Sequence, residues 1–112
     1  MSQPIVAAPL ELGPVEARDL VAAGRAELLD VREPEEHAVV RIPGSRLLPM
    51  RDVPAALAQL PPGRHLLVLC HHGARSLRVT EFLRAQGFLL VSNVRGGIDA
   101  WAQEADPALA RY

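Results

Sequence analysis

Short apolar runs alternate regularly with amphipathic stretches along this chain of 112 residues, and this pattern limits the folds that it can adopt. Such alternation is typical of strands that are joined by crossover helices in a parallel sheet. The strand candidates are residues 9–12, 27–31, 46–48, 65–69 and 88–93, and the helix candidates are residues 14–23, 34–39, 53–60, 75–86 and 98–103. The sequence therefore predicts an α/β fold with a central, mostly parallel sheet of about five strands and helices on both faces.

The length of the chain indicates a single domain. With 49% hydrophobic residues, 112 residues can bury a core but leave no room for a second module. We assign residues 9–112 to the domain and residues 1–8 to an N-terminal extension that could be flexible.

Charge and hydropathy argue against several classes of partner. The 12 basic and 13 acidic residues nearly cancel, and the formal net charge is −1, so we expect no nucleic-acid partner and no anionic membrane surface. The N-terminus has no basic flank like that of a secretory signal, and no apolar run approaches membrane-spanning length. A single cysteine cannot form an internal disulfide, and a reducing cytoplasm is the expected compartment.

The only cysteine, Cys70, stands where an apolar strand candidate ends and a turn leads into a helix candidate. In open parallel sheets, ligand pockets form beyond the carboxyl ends of the strands, so this position indicates a site. The thiolate is the reactive form of cysteine, and both a helix N-terminus and the guanidinium of Arg75 favour an anion. Gly73 permits backbone torsions that a side chain would forbid. We therefore predict that Cys70 is a nucleophile.

The turn after the cysteine is predicted to bind an anionic substrate through its backbone N–H groups and one arginine. Its residues are His71, His72, Gly73, Ala74, Arg75 and Ser76. A lone cysteine after a strand is often only a small buried hydrophobic residue, but the glycine, arginine and serine that follow it favour a functional interpretation. The two histidines either form the wall of the loop or are exposed loop residues, and both interpretations stay open.

A metal site is not expected in this chain. His71 and His72 adjoin Cys70, but three consecutive residues do not easily converge on one ion, and the usual zinc spacings are absent from the sequence. His37 and His65 lie outside the loop and are predicted to be structural. No cofactor is expected either.

Three motifs resemble the rhodanese-like sulfurtransferases. Cys70 and Arg75 are separated by four residues, as in the active-site loop of that family. Residues 28–36 read LLDVREPEE and are followed by RIPGS at 41–45, and residues 93–101 read NVRGGIDAW. These motifs agree with the family in order and spacing, although Arg41 stands where the family usually has histidine and His37 where an aromatic residue often follows the glutamate pair.

The resemblance implies one rhodanese-like domain over residues 9–112 and a two-step transfer of sulfur. The Cys70 thiolate would take the outer sulfur of a small sulfur-containing anion such as thiosulfate, become a persulfide and release sulfite. A nucleophilic acceptor, for example cyanide, a thiol or a protein, would then remove that sulfur. The implied partners are thus a small anionic donor and a thiol or protein acceptor.

Two other classes of function are consistent with the same loop. The domain could carry persulfide between protein partners or act as an interaction module. It could also be similar to the phosphatases and arsenate reductases on this fold, but their loops place five residues between cysteine and arginine, whereas this chain has four. Leu69 also stands where such phosphatases carry histidine.

Residues outside the loop are candidates for supporting the pocket, namely Asp30, Arg32 and Arg41. For Asp30, which ends a strand candidate, we favour a structural role as acceptor of hydrogen bonds from the next turn or as partner of an arginine. For Arg41 we favour a solvated surface charge. The glutamates at 33, 35 and 36 are expected to suit a helix N-terminus by their charge and are assigned no chemical role.

Overall fold

A five-stranded sheet forms the centre of the protein, whose computed structural model describes residues 7–112. The strands are β1 (Glu11–Leu12), β2 (Ala26–Asp30), β3 (Arg46–Leu47), β4 (His65–Leu69) and β5 (Val91–Val94). Their order is β1-β5-β4-β2-β3, and each neighbouring pair is parallel. The predicted parallel sheet is confirmed.

Helices cover both faces of the sheet, as the sequence predicts. They are α1 (Pro14–Ala22), α2 (Pro34–Val39), α3 (Ala74–Ala85) and α4 (Gly97–Glu104), together with two 3₁₀ helices, Met50–Asp52 and Pro54–Gln59. None of the described helices has the length and apolar character to cross a membrane.

The alternation of side chains along β4 builds two cores, one on each face of the sheet. Leu67 and Leu69 pack with α1 and α4, where Trp101 is buried. Leu66 and Val68 point to the opposite face and pack with α3. This is the two-residue period of a strand that is buried on both faces.

Two predicted elements differ from the structure in type or by more than two residues at one end. The predicted helix at 53–60 is the 3₁₀ helix Pro54–Gln59, and the prolines at 61 and 62, which have no N–H group, prevent its continuation. The last strand begins at Val91 and not at residue 88, because Gly87 and Phe88 end α3 instead. The N–H of Gly87 donates to Arg84 and that of Phe88 to Leu83, which is the pattern of a Schellman motif.

The predicted N-terminal extension, residues 1–8, lies outside the described residues except for its last two. Ala8 is buried, and its N–H donates to the carbonyl oxygen of Leu89 at 3.0 Å. At least this end of the predicted extension is therefore packed against the domain.

The register of β2 and β4 brings two loops together at the carboxyl edge of the sheet. Asp30 pairs with Leu69, and the N–H of Val31 donates to the carbonyl oxygen of Leu69 at 2.9 Å. The residue after β4 is Cys70, and the segment after β2 leads into α2. The start of α2 and the cysteine loop are consequently neighbours.

Candidate active site

The Cys70 sulfur lies at the bottom of a tight loop that connects β4 to α3. It accepts hydrogen bonds from the N–H of Gly73 at 3.1 Å and from the hydroxyl of Ser76 at 3.2 Å. The residue is only 1% exposed. Two donors on one sulfur stabilise its anionic form, so the loop is built to hold negative charge.

The helix that follows adds further donors to this loop. Helix α3 begins at Ala74, and the N–H of Leu77 is the first to be bonded to the loop carbonyl of Gly73. The N–H groups of Ala74, Arg75 and Ser76 therefore belong to the first turn, which has no carbonyl partners within the helix. Such unpaired N–H groups form an anion-binding end.

Gly73 is required by both conformation and space. Its φ of +103° lies in the region that favours glycine. A Cβ atom added there would stand 3.1 Å from the backbone nitrogen of Gly96. The predicted role of Gly73 in the turn agrees with this geometry.

The start of α4, with Gly96 at its N-cap and Gly97 as its first residue, packs against the cysteine loop. A Cβ atom on Gly97 would collide with the carbonyl oxygens of Cys70 and His71. The N–H of Ile98 donates to the Cys70 carbonyl at 2.8 Å, and that of Asp99 donates to the His71 carbonyl at 3.1 Å. The third sequence motif thus supports the cysteine loop directly.

The guanidinium of Arg75 is held by the carboxylate of Glu36, a partner that sequence reasoning missed. Arg75 Nη1 donates to Oε1 at 2.7 Å and Nη2 to Oε2 at 2.9 Å. The hydrogen bond from Arg75 is the main reason why the pKa of Glu36 is lowered to about 2. The same bond raises the pKa of Arg75. Arg75 is therefore already paired with a carboxylate.

Helix α2 fixes the orientation of Glu36. Its Oε1 also accepts a hydrogen bond from the backbone N–H of Glu33 at 3.1 Å, within a capping box at the start of the helix. The expectation that Glu36 serves only the helix N-terminus is therefore incomplete. The spacing of Glu33 and Glu36 in the sequence is that of a capping box, but the sequence gives no sign of the contact between Glu36 and Arg75.

Asp30 and Arg32 form a fully buried ion pair beneath the site. Arg32 Nη2 donates to Asp30 Oδ2 at 2.8 Å, and the backbone N–H of Arg32 donates to Oδ1 at 3.1 Å. Both side chains are 0% exposed. The ring nitrogen Nδ1 of His37 lies 2.9 Å from the same carboxylate. These contacts give Asp30 the structural role that its sequence position favours, and they connect α2 to the end of β2.

Arg41 lies at the surface, and no ion pair to it is present among residues 7–112. This agrees with a solvated charge. His65 is half-buried and its Nε2 lies 2.9 Å from the hydroxyl of Ser92, away from the cysteine loop. Its predicted structural role is consistent with that contact.

The C-terminal segment packs on the outer side of the loop, a feature that no sequence motif indicated. The His71 ring stacks on the Tyr112 ring with centroids 3.9 Å apart and on the His72 ring at 3.8 Å. The Tyr112 hydroxyl lies 2.8 Å from Glu36 Oε2 and 2.8 Å from Arg32 Nη1. His71 thus forms part of a wall, whereas His72 is exposed.

His71, His72 and Asp99 form a cluster of possible metal ligands. In the structure Asp99 lies beside the two histidines, and the possible ligand atoms lie within 4.8 Å of one another. Asp99 is already paired with the guanidinium of Arg111 at 2.9 Å, and this positive charge opposes a cation. His71 Nε2 also lies 2.8 Å from a backbone oxygen of Tyr112, a contact that competes with a cation for this nitrogen. That no metal binds here stays a prediction.

Together, the observations define a small parallel α/β domain with a buried cysteine in a tight loop at the carboxyl edge of its sheet. The family model described as rhodanese-like domain matches residues 13–104, and the chain belongs to this family.

Named relatives and solved structures agree with this assignment. A chloroplastic rhodanese-like/PpiC domain-containing protein from Arabidopsis thaliana is 37% identical over 99 residues, which are 85% of this chain but only 33% of that protein. A human thiosulfate:glutathione sulfurtransferase is 32% identical over 103 residues, covering 80% of this chain and 90% of that protein. The human single-domain sulfurtransferase TSTD1 superposes with a TM-score of 0.77 at 30% identity, over 87% of this chain and 98% of that one.

Proposed function

We propose that the protein is a sulfurtransferase that moves sulfane sulfur from a donor such as thiosulfate to a nucleophilic acceptor through a persulfide on Cys70. The observation that carries this proposal is the pair of hydrogen bonds from Gly73 and Ser76 to the Cys70 sulfur. These donors favour the thiolate, which is the form that attacks a donor sulfur.

In the first step the Cys70 thiolate attacks the outer sulfur of thiosulfate. A new S–S bond forms to Cys70, the S–S bond of the donor breaks, and sulfite leaves with the electron pair. The terminal sulfur of the resulting persulfide carries negative charge. The N–H groups in the first turn of α3, at residues 74–76, are the groups that would stabilise it.

In the second step an external nucleophile attacks the terminal sulfur, and the persulfide S–S bond breaks to regenerate the thiolate. The acceptor must be external, because the chain has one cysteine and no second thiol to resolve the intermediate. The name of the human relative, thiosulfate:glutathione sulfurtransferase, supports an anionic donor and a thiol acceptor. We place this chemistry in a reducing compartment such as the cytoplasm, where a lone thiol stays reduced.

The decisive experiment is intact mass spectrometry of the protein before thiosulfate, after thiosulfate, and after subsequent cyanide. We expect a gain of about 32 mass units, one sulfur atom, that cyanide removes. The Cys70→Ser variant is the control and should show no gain. A Cys70→Ser variant that still transferred sulfur from thiosulfate to cyanide would refute the mechanism.

The same measurements distinguish the two other interpretations, a persulfide carrier and an enzyme of the phosphatase class, from a sulfurtransferase. A persulfide that forms slowly from thiosulfate but rapidly from a persulfidated protein would identify a carrier. Absence of any sulfur gain, together with hydrolysis of an aryl phosphate, would identify the phosphatase class. The loop length of four residues between Cys70 and Arg75 favours sulfur over phosphate as the group that the cradle binds.

A further inference from the structure

The positive charge of Arg75, which would attract an anionic donor, is neutralised in this protein. Both oxygens of the Glu36 carboxylate bond to the guanidinium, at 2.7 and 2.9 Å. Because the pKa of Glu36 is lowered to about 2, chiefly by this hydrogen bond, the carboxylate stays negative at neutral pH. An incoming anion therefore meets an ion pair and not a free cation.

A second residue holds Glu36 in this position. The Tyr112 hydroxyl lies 2.8 Å from Arg32 Nη1, which can only donate, so the hydroxyl oxygen accepts there. Its own proton is then directed to Glu36 Oε2, also at 2.8 Å. Arg32 is itself fixed by the buried carboxylate of Asp30. The buried pair of Asp30 and Arg32 therefore sets the direction of these hydrogen bonds. Arg32 donates to the Tyr112 hydroxyl, and the hydroxyl donates to Glu36.

The Tyr112 ring, like its hydroxyl, is held by contacts with neighbouring residues. It stacks on the His71 ring at 3.9 Å with an angle of 5° between the planes. The Arg32 guanidinium carbon lies 5.5 Å from the centre of the same ring, within the range of a cation–π contact. Arg111, the preceding residue, pairs with Asp99 of α4. Tyr112 is therefore anchored on both sides of the loop entrance.

We propose that Glu36 determines donor specificity by weakening the pocket for small anions, and that Tyr112 is the positioning residue that keeps Glu36 on Arg75. This inference rests on the proposed function only where it is tested by thiosulfate kinetics. The charge preference of the pocket exists whether or not sulfur is transferred.

Two alkylating agents measure that charge preference directly. Iodoacetate is anionic and iodoacetamide neutral, and both alkylate the only cysteine of the chain. The ratio of their rates reports how well the pocket accepts an anion, while the iodoacetamide rate alone reports the reactivity of the thiolate. In Glu36→Gln we expect the ratio to rise about fivefold, because the amide carries no charge and still accepts the capping hydrogen bond. In Tyr112→Phe, which keeps the stacked ring, we expect about twofold.

Thiosulfate kinetics give a second reading. In Glu36→Gln the KM for thiosulfate should fall about fivefold with little change in kcat, because the effect acts on binding of the anion. The matched control is Glu104→Gln, which removes the same charge from an exposed pair with Arg95. That variant should leave both the alkylation ratio and the KM unchanged.

The outcomes are distinguishable. A lower alkylation ratio in Glu36→Gln would mean that Glu36 orients Arg75 for anion binding, and an unchanged ratio would mean that it has no influence on the pocket; either result overturns the inference. An increase in Glu104→Gln equal to that in Glu36→Gln would overturn it too. If the ratio rises as expected but no persulfide forms from thiosulfate, the inference stands and the proposed function fails.

Discussion

Two arginine–carboxylate pairs lie side by side at the carboxyl edge of the sheet, and they differ mainly in burial. In the pair of Asp30 and Arg32 both side chains are 0% exposed, whereas in the pair of Glu36 and Arg75 they are 22% and 33% exposed. A buried pair cannot lose one member without leaving an unpaired charge in the core. In a partly exposed pair, each member can exchange its partner for water or for a ligand. The first pair is therefore structural, and the second is available for function.

The largest expected effect tests the buried pair. Replacing Asp30 with alanine leaves the Arg32 guanidinium without its carboxylate, and we expect a loss of about 3–5 kcal/mol in the free energy of unfolding. Urea denaturation measures this loss. The matched control is Glu36→Gln, for which we expect a change within about 1 kcal/mol because solvent screens the pair. Equal losses in the two variants would remove the distinction between the structural and the functional pair.

The second test removes the cation of the half-exposed pair. In Arg75→Ala we expect kcat/KM for thiosulfate to fall about 100-fold, because the guanidinium is lost and the Glu36 carboxylate, left without its partner, repels an anionic donor. Alkylation by the neutral reagent iodoacetamide should fall much less. If both rates fell equally, Arg75 would influence only the thiolate and not the binding of the donor.

The third test uses pH on the same pair. The pKa of Glu36 is lowered from 4.5 to about 2, first of all by its hydrogen bond to Arg75. A lowered pKa in the folded state gives stability that is present above about pH 4.5 and is lost as the pH falls through about 2. After allowance for screening, we expect wild type to lose about 1 kcal/mol more than Glu36→Gln between neutral pH and about pH 2. Urea unfolding of both proteins at the two pH values measures this difference. Parallel pH profiles for the two proteins would contradict it.

The smallest effect concerns the group that touches both pairs. Tyr112 is the only tyrosine, so the ultraviolet absorbance of tyrosinate reports its ionisation alone. Its pKa is raised above the ordinary value, mainly because partial burial disfavours the phenolate, and the Glu36 carboxylate raises it further. We expect a titration midpoint above about 10 in wild type and a lower one in Glu36→Gln. A midpoint in Glu36→Gln that equals the wild-type value would show that Tyr112 and Glu36 are not coupled.

Local patterns account for what sequence reasoning predicted correctly. The apolar period of β4, a cysteine at its end and a glycine in the next turn lie within ten consecutive residues, and each acts through its immediate neighbours. The same is true of Asp30, whose arginine partner is two residues away. The sequence predicts the start of β5 too early, because Gly87 and Phe88 are hydrogen-bonded to the end of α3.

Contacts between distant segments account for what sequence reasoning missed. Glu36 and Arg75 are 39 residues apart, and Glu36 and Tyr112 are 76 residues apart. The residues that flank Glu36 and Tyr112 in the sequence give no sign of these contacts, and both side chains could equally be solvated at the surface. The cysteine loop likewise determines that position 97 must be glycine, because a side chain there would collide with the carbonyl oxygens of Cys70 and His71.

The periodicity and turn chemistry of the sequence are sufficient to predict the parallel α/β fold and the loop in which Cys70 precedes α3, because they act over a few residues. The electrostatic state of the site follows instead from contacts between segments that are distant in the sequence. The register of β2 against β4 places α2 beside the cysteine loop, and this neighbourhood brings Glu36 onto Arg75 and Tyr112 onto Glu36. Charge acts through space, so its effect on the pocket depends on packing that no single segment encodes.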